Sequence, residues 1–236
     1  MIAVIQAGGR GTRLRPYTFA LPKPLMPVGD LPVLLILLKW LRRWGVKKTF
    51  ITTGYLGHLI RALCEGNNHW DMDIAYSEEP EPLGTVGALR LLDEKLTETF
   101  LTVNGDLICD LDLRAFCAFH KKCGGLLTVG VTQKNFKVDL GVLESENGRM
   151  THFREKPDMR FRVSMGVYCM EPEILKLIPN HMPFGFDDLV NEMLQQKLSI
   201  HIYEHNGIWM DIGREEDYKR AQEIFLKDYK SIILGC

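Results

Sequence analysis

Three glycines and two arginines crowd residues 8–13, Gly-Gly-Arg-Gly-Thr-Arg, shortly after the apolar run Met1–Ile5. Glycines let backbone N–H groups approach an anion without side-chain obstruction, and arginines supply charge of the opposite sign. A third arginine follows at position 15, and Lys23 stands between Pro22 and Pro24. Proline fixes its own φ and restricts the residue before it, so this frame confines the ammonium to a narrow range of positions. The chemistry that these residue types and spacings offer is the binding of phosphate groups. A tight structural turn and a dinucleotide fold are the competing readings of the glycines; a rigid surface turn is that of Lys23. Neither G-x-G-x-x-G nor the G-K-[ST] ending of a Walker loop is present, which counts against both ready-made nucleotide motifs.

A phosphate loop needs a strand before it and a scaffold around it. Strand-like apolar runs at 2–7, 48–54, 72–78 and 99–106 alternate with helical periodicity at 33–45, 58–66 and 85–96. That alternation predicts right-handed βαβ crossovers and a mainly parallel sheet. The second half is less regular. Runs at 126–132, 139–145, 150–157 and 162–170 predict an antiparallel extension, with Asn147-Gly148 as a hairpin turn. Helical stretches at 171–178 and 187–196, a strand at 199–204 and a closing helix at 214–228 complete the series. The expected fold is α/β, a Rossmann-like, mainly parallel mixed sheet flanked by helices, with a small antiparallel extension. No internal repeat, low-complexity stretch or long linker divides the chain, so 1–236 is expected to be a single domain.

The 236 residues carry a formal net charge of −1, with 46% hydrophobic and 25% charged residues. These are ordinary values for a globular protein, and they disfavour a generally basic nucleic-acid binder while leaving room for a local basic pocket. Six cysteines occur, none as Cys-x-x-Cys and none at zinc-finger spacing from histidine. Free thiols in a reducing cytoplasm are expected. His201 and His205 are four apart on a stretch that alternates like a strand, which argues against shared metal ligation. The opening residues lack the basic n-region of a signal peptide, and the longest apolar run, around 31–41, is about half of the ~20 residues a membrane helix needs. No membrane association is expected.

The loop and the framed lysine together resemble the signature of the sugar-1-phosphate nucleotidyltransferases, which make NDP-sugars. The family pattern A-G-G-x-G-T-R-L followed by P-K-P-x-x-P stands here as residues 7–14 and 22–27. Further stretches match in the same order. "EPLGTVGAL" (81–89) resembles the nucleotide-base loop, and "VNGDLI" (103–108) the strand end whose aspartate holds Mg²⁺. "FREKP" (153–157) resembles the motif that receives the sugar phosphate, and "WMDIGREEDY" (209–218) the segment supplying a second metal carboxylate. The resemblance is nearest to the mannose- and heptose-1-phosphate guanylyltransferases, and it implies a fold akin to the GT-A glycosyltransferases.

It implies roles as follows. Ala7, Gly8, Gly9, Gly11 and Thr12 cradle the triphosphate, and Arg13 and Lys23 are the catalytic cations. Glu79, Gly84 and Thr85 belong to the base site. Asp106 and Asp211 hold Mg²⁺, whose preference for hard oxygen ligands two carboxylates, phosphate oxygens and water would meet. Asp106 ends an apolar strand, so its carboxylate is expected at the sheet's C-terminal edge, where open α/β sheets bind ligands. Lys156 is assigned to the sugar's phosphate and Glu155 to its hydroxyls. The two are adjacent on an expected strand and would point to opposite faces, so they pair poorly. Gly141, Ser164, Gly166 and Asp188 complete the sugar side. Residues 1–110 are expected to hold mainly the nucleotide and 111–236 mainly the sugar phosphate. No hexapeptide-repeat β-helix domain is expected at the C-terminus.

Glu79 bears on the base. Family members that read uracil or thymine often carry glutamine five residues before the glycine of this loop, here Gly84. A carboxylate only accepts hydrogen bonds. Guanine offers N1–H and N2–H₂ side by side, whereas uracil offers one N3–H between two carbonyls. GTP is therefore expected first and UTP second, unless Glu79 merely faces water in an acidic loop. The sugar is less legible, because Ser164 stands where many relatives have asparagine. A uridylyltransferase of hexose or amino-sugar 1-phosphates is the alternative enzyme, and a catalytically silent sugar-nucleotide-binding regulatory subunit the alternative class. A glycosyltransferase would need a metal motif, and "DLD" (110–112) lies beyond the strand end in what reads as a helix N-cap. The oligomeric state is left open, a homo-oligomer included.

Overall fold

The computed structural model describes residues 1–66 and 70–225. In chain order the elements are β1 Ile2–Ala7, the short pair β2 Pro27–Val28 and β3 Leu31–Pro32, α1 Val33–Arg43, β4 Lys48–Thr53, α2 Gly57–Glu65, β5 Asp73–Glu78 and α3 Gly84–Gly87. Then come β6 Phe100–Asn104, β7 Leu107–Cys109, α4 Leu113–Cys123, β8 Leu127–Lys137, β9 Val142–Glu146, β10 Arg149–Arg154 and β11 Asp158–Met170. The chain continues through α5 Phe186–Gln195, β12 Ile200–Glu204, β13 Trp209–Asp211 and α6 Glu215–Ile224. α6 covers the described part of the expected closing helix, and positions 226–228 lie outside the described residues.

One seven-stranded sheet, ordered β12-β8-β11-β6-β1-β4-β5, organises the molecule. β1 is parallel to β4 and β6, β4 to β5, and β8 to β12, whereas β11 is antiparallel to both of its neighbours. The sheet is mixed and mainly parallel, as its sequence pattern implies. The central strands read as nearly continuous apolar runs because both faces are covered. Ala3 and Ile5 of β1 join a core with α1, all of whose residues from Val33 to Leu38 are buried. Val4 points to the other face, among Val86, Leu89, Ile174 and Leu189. β9 and β10 form a separate antiparallel hairpin turned by Asn147 and Gly148, both at positive φ (50° and 79°). Together with the outer halves of β8 and β11 it makes an exposed arm.

Two stretches differ from the sequence reading. The helix expected at 85–96 is α-helical only over Gly84–Gly87 and continues as a 3₁₀ segment to Leu92. Its first turn is docked from a distance: Val86 and Gly87 both donate to the Phe184 carbonyl, at 3.1 Å each. The strand expected at 150–157 ends at Arg154, so Glu155 and Lys156 lie in a bend, with Lys156 at φ 43°. The opposite-face argument for separating these two residues therefore does not apply; the bend, not a pleat, sets their directions.

Candidate active site

β1, β4, β5 and β6 end on the same side of the sheet, and their following loops enclose a cavity of about 390 Å³. Its lining includes Ala7, Gly8, Gly9, Gly11, Thr12 and Arg13 from the first loop, Lys23, Glu79, Gly84 and Thr85, and Asp106 after β6. Eleven positions singled out in the sequence thus meet in one place, and all but Asp106 precede β6.

The glycine loop is shaped by local packing. Gly11 adopts φ 58°, and the Thr18 hydroxyl donates to its carbonyl at 2.9 Å. A side chain at Gly11 would stand 2.9 Å from Thr18 Cγ2 and 3.3 Å from Lys23 Cβ, so the loop lies on the proline-framed lysine itself. Gly8 has a different reason to be glycine: a Cβ there would fall 2.0 Å from Glu79 Oε1. Glu79 therefore leans over the loop, where its Oε2 accepts from the Leu83 N–H at 3.1 Å. Burial pushes its carboxyl above the usual range, opposed by that hydrogen bond.

Lys23 is no surface lysine. Its side chain is 10% exposed, and its ammonium contacts Asp106 Oδ2 and lies 3.7 Å from Asp211 Oδ1. Asp211 reaches this point from β13, which pairs with β7 so that Asp211 faces Leu107, next to Asp106. Burial pushes the Asp211 carboxyl up, and the neighbouring charge of Asp106 adds to this; Lys23 and Arg13 oppose it. Two carboxylates converging on one cation are a donor set suited to a divalent ion, whose other ligands must then be substrate oxygens or water. Among the described residues no group of three or more His, Cys, Asp or Glu offers a fuller metal cage.

The residues proposed for the sugar divide into three groups. Ser164 and Gly166 sit at a register break of β11 opposite β8, where the Gly166 N–H donates to Ser164 Oγ at 3.3 Å and Ser164 Oγ lies 3.2 Å from the Tyr168 hydroxyl. Gly166, at φ 71°, presses on the cavity-lining Asn104: a Cβ would come within 2.5 Å of its Nδ2. Gly141 and Glu155 meet on the arm, a Cβ on the glycine standing 3.2 Å from Glu155 Oε2, and Lys156 is exposed at the adjoining bend. None of these arm residues lines the cavity. Asp188 has a structural partner, accepting from the Gly185 N–H at 2.7 Å at the start of α5, and Thr85 Oγ1 likewise accepts from the Phe186 N–H at 2.8 Å.

Several cavity residues escaped the sequence reading: Gln6, Thr52, Pro82, Asn104 and Gly105. Gln6 was detectable as the one polar residue in an apolar strand run, and Asn104-Gly105 as the residues leading into Asp106. "DLD" resolves as expected in part. Asp112 caps α4, accepting from Arg114 and Ala115 N–H at 2.8 and 2.9 Å, but Asp110 holds the loop between β12 and β13 through Ile208 N–H and His205, both at 2.8 Å. His201 bonds the Gly124 carbonyl instead, so the two histidines share no ligand.

With this site in place, the chain belongs to the nucleotidyl transferase family, whose profile, described as "Nucleotidyl transferase", matches residues 2–228. It is 32% identical, over a 238-residue alignment, to mannose-1-phosphate guanyltransferase beta-B of Xenopus laevis, covering 98% of this chain and 66% of that protein. To the mannose-1-phosphate guanyltransferase of Yarrowia lipolytica it is also 32% identical, covering 96% and 64%. The chain thus spans just under two thirds of the length of the curated relatives it matches. Among solved structures it is similar to HddC from Yersinia pseudotuberculosis, with a TM-score of 0.77 at 25% identity over 95% of this chain and 99% of that one. A UDP-glucose pyrophosphorylase complexed with UDP-glucose shares the fold, with a TM-score of 0.72 at 19% identity over 96% and 98%. Among the described residues no helix is long and apolar enough to cross a membrane.

Proposed function

We propose that this chain is a sugar-1-phosphate guanylyltransferase, joining GTP to mannose 1-phosphate or a heptose 1-phosphate with release of pyrophosphate. The observation that carries this reading is the meeting of the glycine loop, Lys23, Asp106 and Asp211 at the C-terminal edge of the sheet. The 32% identity to mannose-1-phosphate guanyltransferases supports the choice of base and sugar.

The sugar phosphate is already an anion at neutral pH, so no general base is needed. What opposes the reaction is repulsion between two polyanions, and the site answers it by positioning and charge. Loop N–H groups and the Arg13 guanidinium hold the triphosphate. Lys23 faces the α-phosphate, which the sugar phosphate attacks as pyrophosphate departs in line. On the arm, Lys156 receives the incoming phosphate and Glu155 the sugar hydroxyls; Gly141 and Gly166 let the sugar lie close to backbone, and Ser164 stands where an asparagine would touch it. Asp106 and Asp211 fit Mg²⁺, which when bound supplies further charge neutralisation at the reacting phosphates. Glu79 accepts from the N1–H and 2-amino group of guanine. In this reading residues 1–110 hold mainly the nucleotide and 111–236 mainly the sugar phosphate.

The test is a panel of nucleoside triphosphates against mannose, glucose, amino-sugar and heptose 1-phosphates with Mg²⁺, read by pyrophosphate release. GTP with mannose or heptose 1-phosphate should be fastest. Faster turnover with UTP would move the assignment to a uridylyltransferase, and nucleotide binding without any turnover would make the chain a regulatory subunit.

A further inference from the structure

One side chain of the cavity has no partner for either of its polar atoms. Gln6 Nε2 and Oε1 are both buried and make no hydrogen bond within the protein, and among the described residues Gln6 alone has buried side-chain polar atoms left unpaired. An amide in that condition carries two desolvated groups, a donor and an acceptor, which folding alone does not favour. Its setting is fixed. Gln6 is the sixth residue of the chain, on β1 in register with Thr52 of β4 and Asn104 of β6, and all three line the cavity. Two residues further on, Glu79 fills the space where a Gly8 side chain would be, and Glu79 lines the same cavity.

Resting on the guanylyltransferase reading, we propose that Gln6 reads the nucleobase together with Glu79, its Nε2–H donating to guanine O6 while Glu79 accepts from the 2-amino group. The hydrogen-bonding edge of guanine carries an acceptor, O6, followed by two donors, N1–H and the 2-amino group. An amide and a carboxylate side by side present the complement, with N1–H lying between Gln6 Oε1 and Glu79. Uracil can match the amide through O4 and N3–H, but then sets its O2 carbonyl against the carboxylate. Adenine lacks the 2-amino group altogether. The pair therefore discriminates where neither residue does alone, because an amide by itself flips to suit either orientation of donor and acceptor.

Two analogues separate the contacts. The 2-aminopurine riboside triphosphate keeps the amino group and lacks O6 and N1–H; inosine triphosphate keeps O6 and N1–H and lacks the amino group. Binding of GTP and both analogues is measured by calorimetry for the wild-type chain and for Gln6→Leu. The wild type should bind GTP roughly tenfold or more tighter than the 2-aminopurine analogue, the size expected for hydrogen bonds in a buried site. Gln6→Leu should narrow this gap by about threefold or more, the remainder being the N1–H contact with Glu79, while leaving the GTP-to-inosine ratio unchanged. The free Gln6→Leu protein should melt at or above the wild-type temperature, since it no longer buries an unpaired amide. A 2-aminopurine ratio unaltered by Gln6→Leu, or an unaltered ratio with a lowered melting temperature, would overturn the assignment and make Gln6 a structural amide. Should Gln6→Leu fail to fold, Gln6→Met supports the same comparison. A wild-type protein that binds none of these triphosphates would instead remove the nucleotidyltransferase reading, which keeps the two failures apart.

Discussion

The cavity and the arm present their polar groups in opposite styles. In the cavity, polar groups from five segments converge and are already oriented: Lys23 is nearly buried between two carboxylates, and Glu79 is anchored by a backbone N–H. On the arm, the residues assigned to the sugar phosphate stand in an exposed bend, and large apolar side chains are open to solvent around them, Leu140 at 74%, Met150 at 65% and Phe153 at 56%. The sheet fixes the cavity's loops because β1, β4 and β6 are each paired on both sides, and their buried residues pack into the core. A two-stranded hairpin has no such support, and isolated hairpins are marginal. The lesson is that the cavity is preorganised in the free chain, while the arm carries apolar side chains that nothing among the described residues covers.

The largest expected effect breaks the cavity's charge arrangement. Lys23→Ala leaves Asp106 and Asp211 facing each other without their cation, and removes a donor from the reacting phosphates. Turnover should fall by at least 10²-fold, a magnitude typical of losing one such group, as read by pyrophosphate release. Next, Asp211→Ala should raise the Mg²⁺ concentration needed for half-maximal rate by roughly tenfold or more, comparable to what disturbing a metal site costs. An unchanged metal requirement would detach Asp211 from the metal. Lys156→Ala then tests the arm: KM for the sugar phosphate should rise by about tenfold with KM for GTP unchanged, because binding common to ground and transition states is lost. Were both KM values to shift together, the division between cavity and arm would be wrong.

The smallest effect lies away from both regions. His120 is buried on α4, 2.7 Å from Thr128 Oγ1 and 3.1 Å from Glu171 Oε1. Burial pushes its imidazole below the usual range, and the Glu171 hydrogen bond opposes this only in part. The folded protein therefore holds it neutral where the unfolded chain would take up a proton. Its contribution to stability is present above about pH 6.5 and is lost as pH falls toward the lowered folded value. Thermal melts of wild type and His120→Asn between pH 7 and 5 should show a steeper decline for the wild type.

What could be read from sequence tracks the same contrast. The parallel half was legible because its strands are apolar runs and its site residues follow them at strand ends, as Asp106 and the glycine loop do. The periodicity of 85–96 shows a helical segment but not that it is α-helical only to Gly87, nor that its first turn docks on the distant Phe184 carbonyl. "MTHFREKP" reads as one strand up to its proline, and nothing in its local composition marks the bend at Glu155 and Lys156. That Lys23 would be enclosed by Asp106 and Asp211 depends on contacts across 83 and 188 positions, and that Gly8 makes way for Glu79 on one across 71. Residue types at those positions suggest chemistry; only the fold shows that they meet.

The most direct measurement is a crystal structure of the chain with a non-hydrolysable GTP analogue, Mg²⁺ and mannose 1-phosphate. The triphosphate should lie in the 390 Å³ cavity with the Arg13 guanidinium and Lys23 ammonium toward its phosphates, and the metal on Asp106 and Asp211. A nucleotide seated elsewhere, or those two cations turned away from it, would contradict the account.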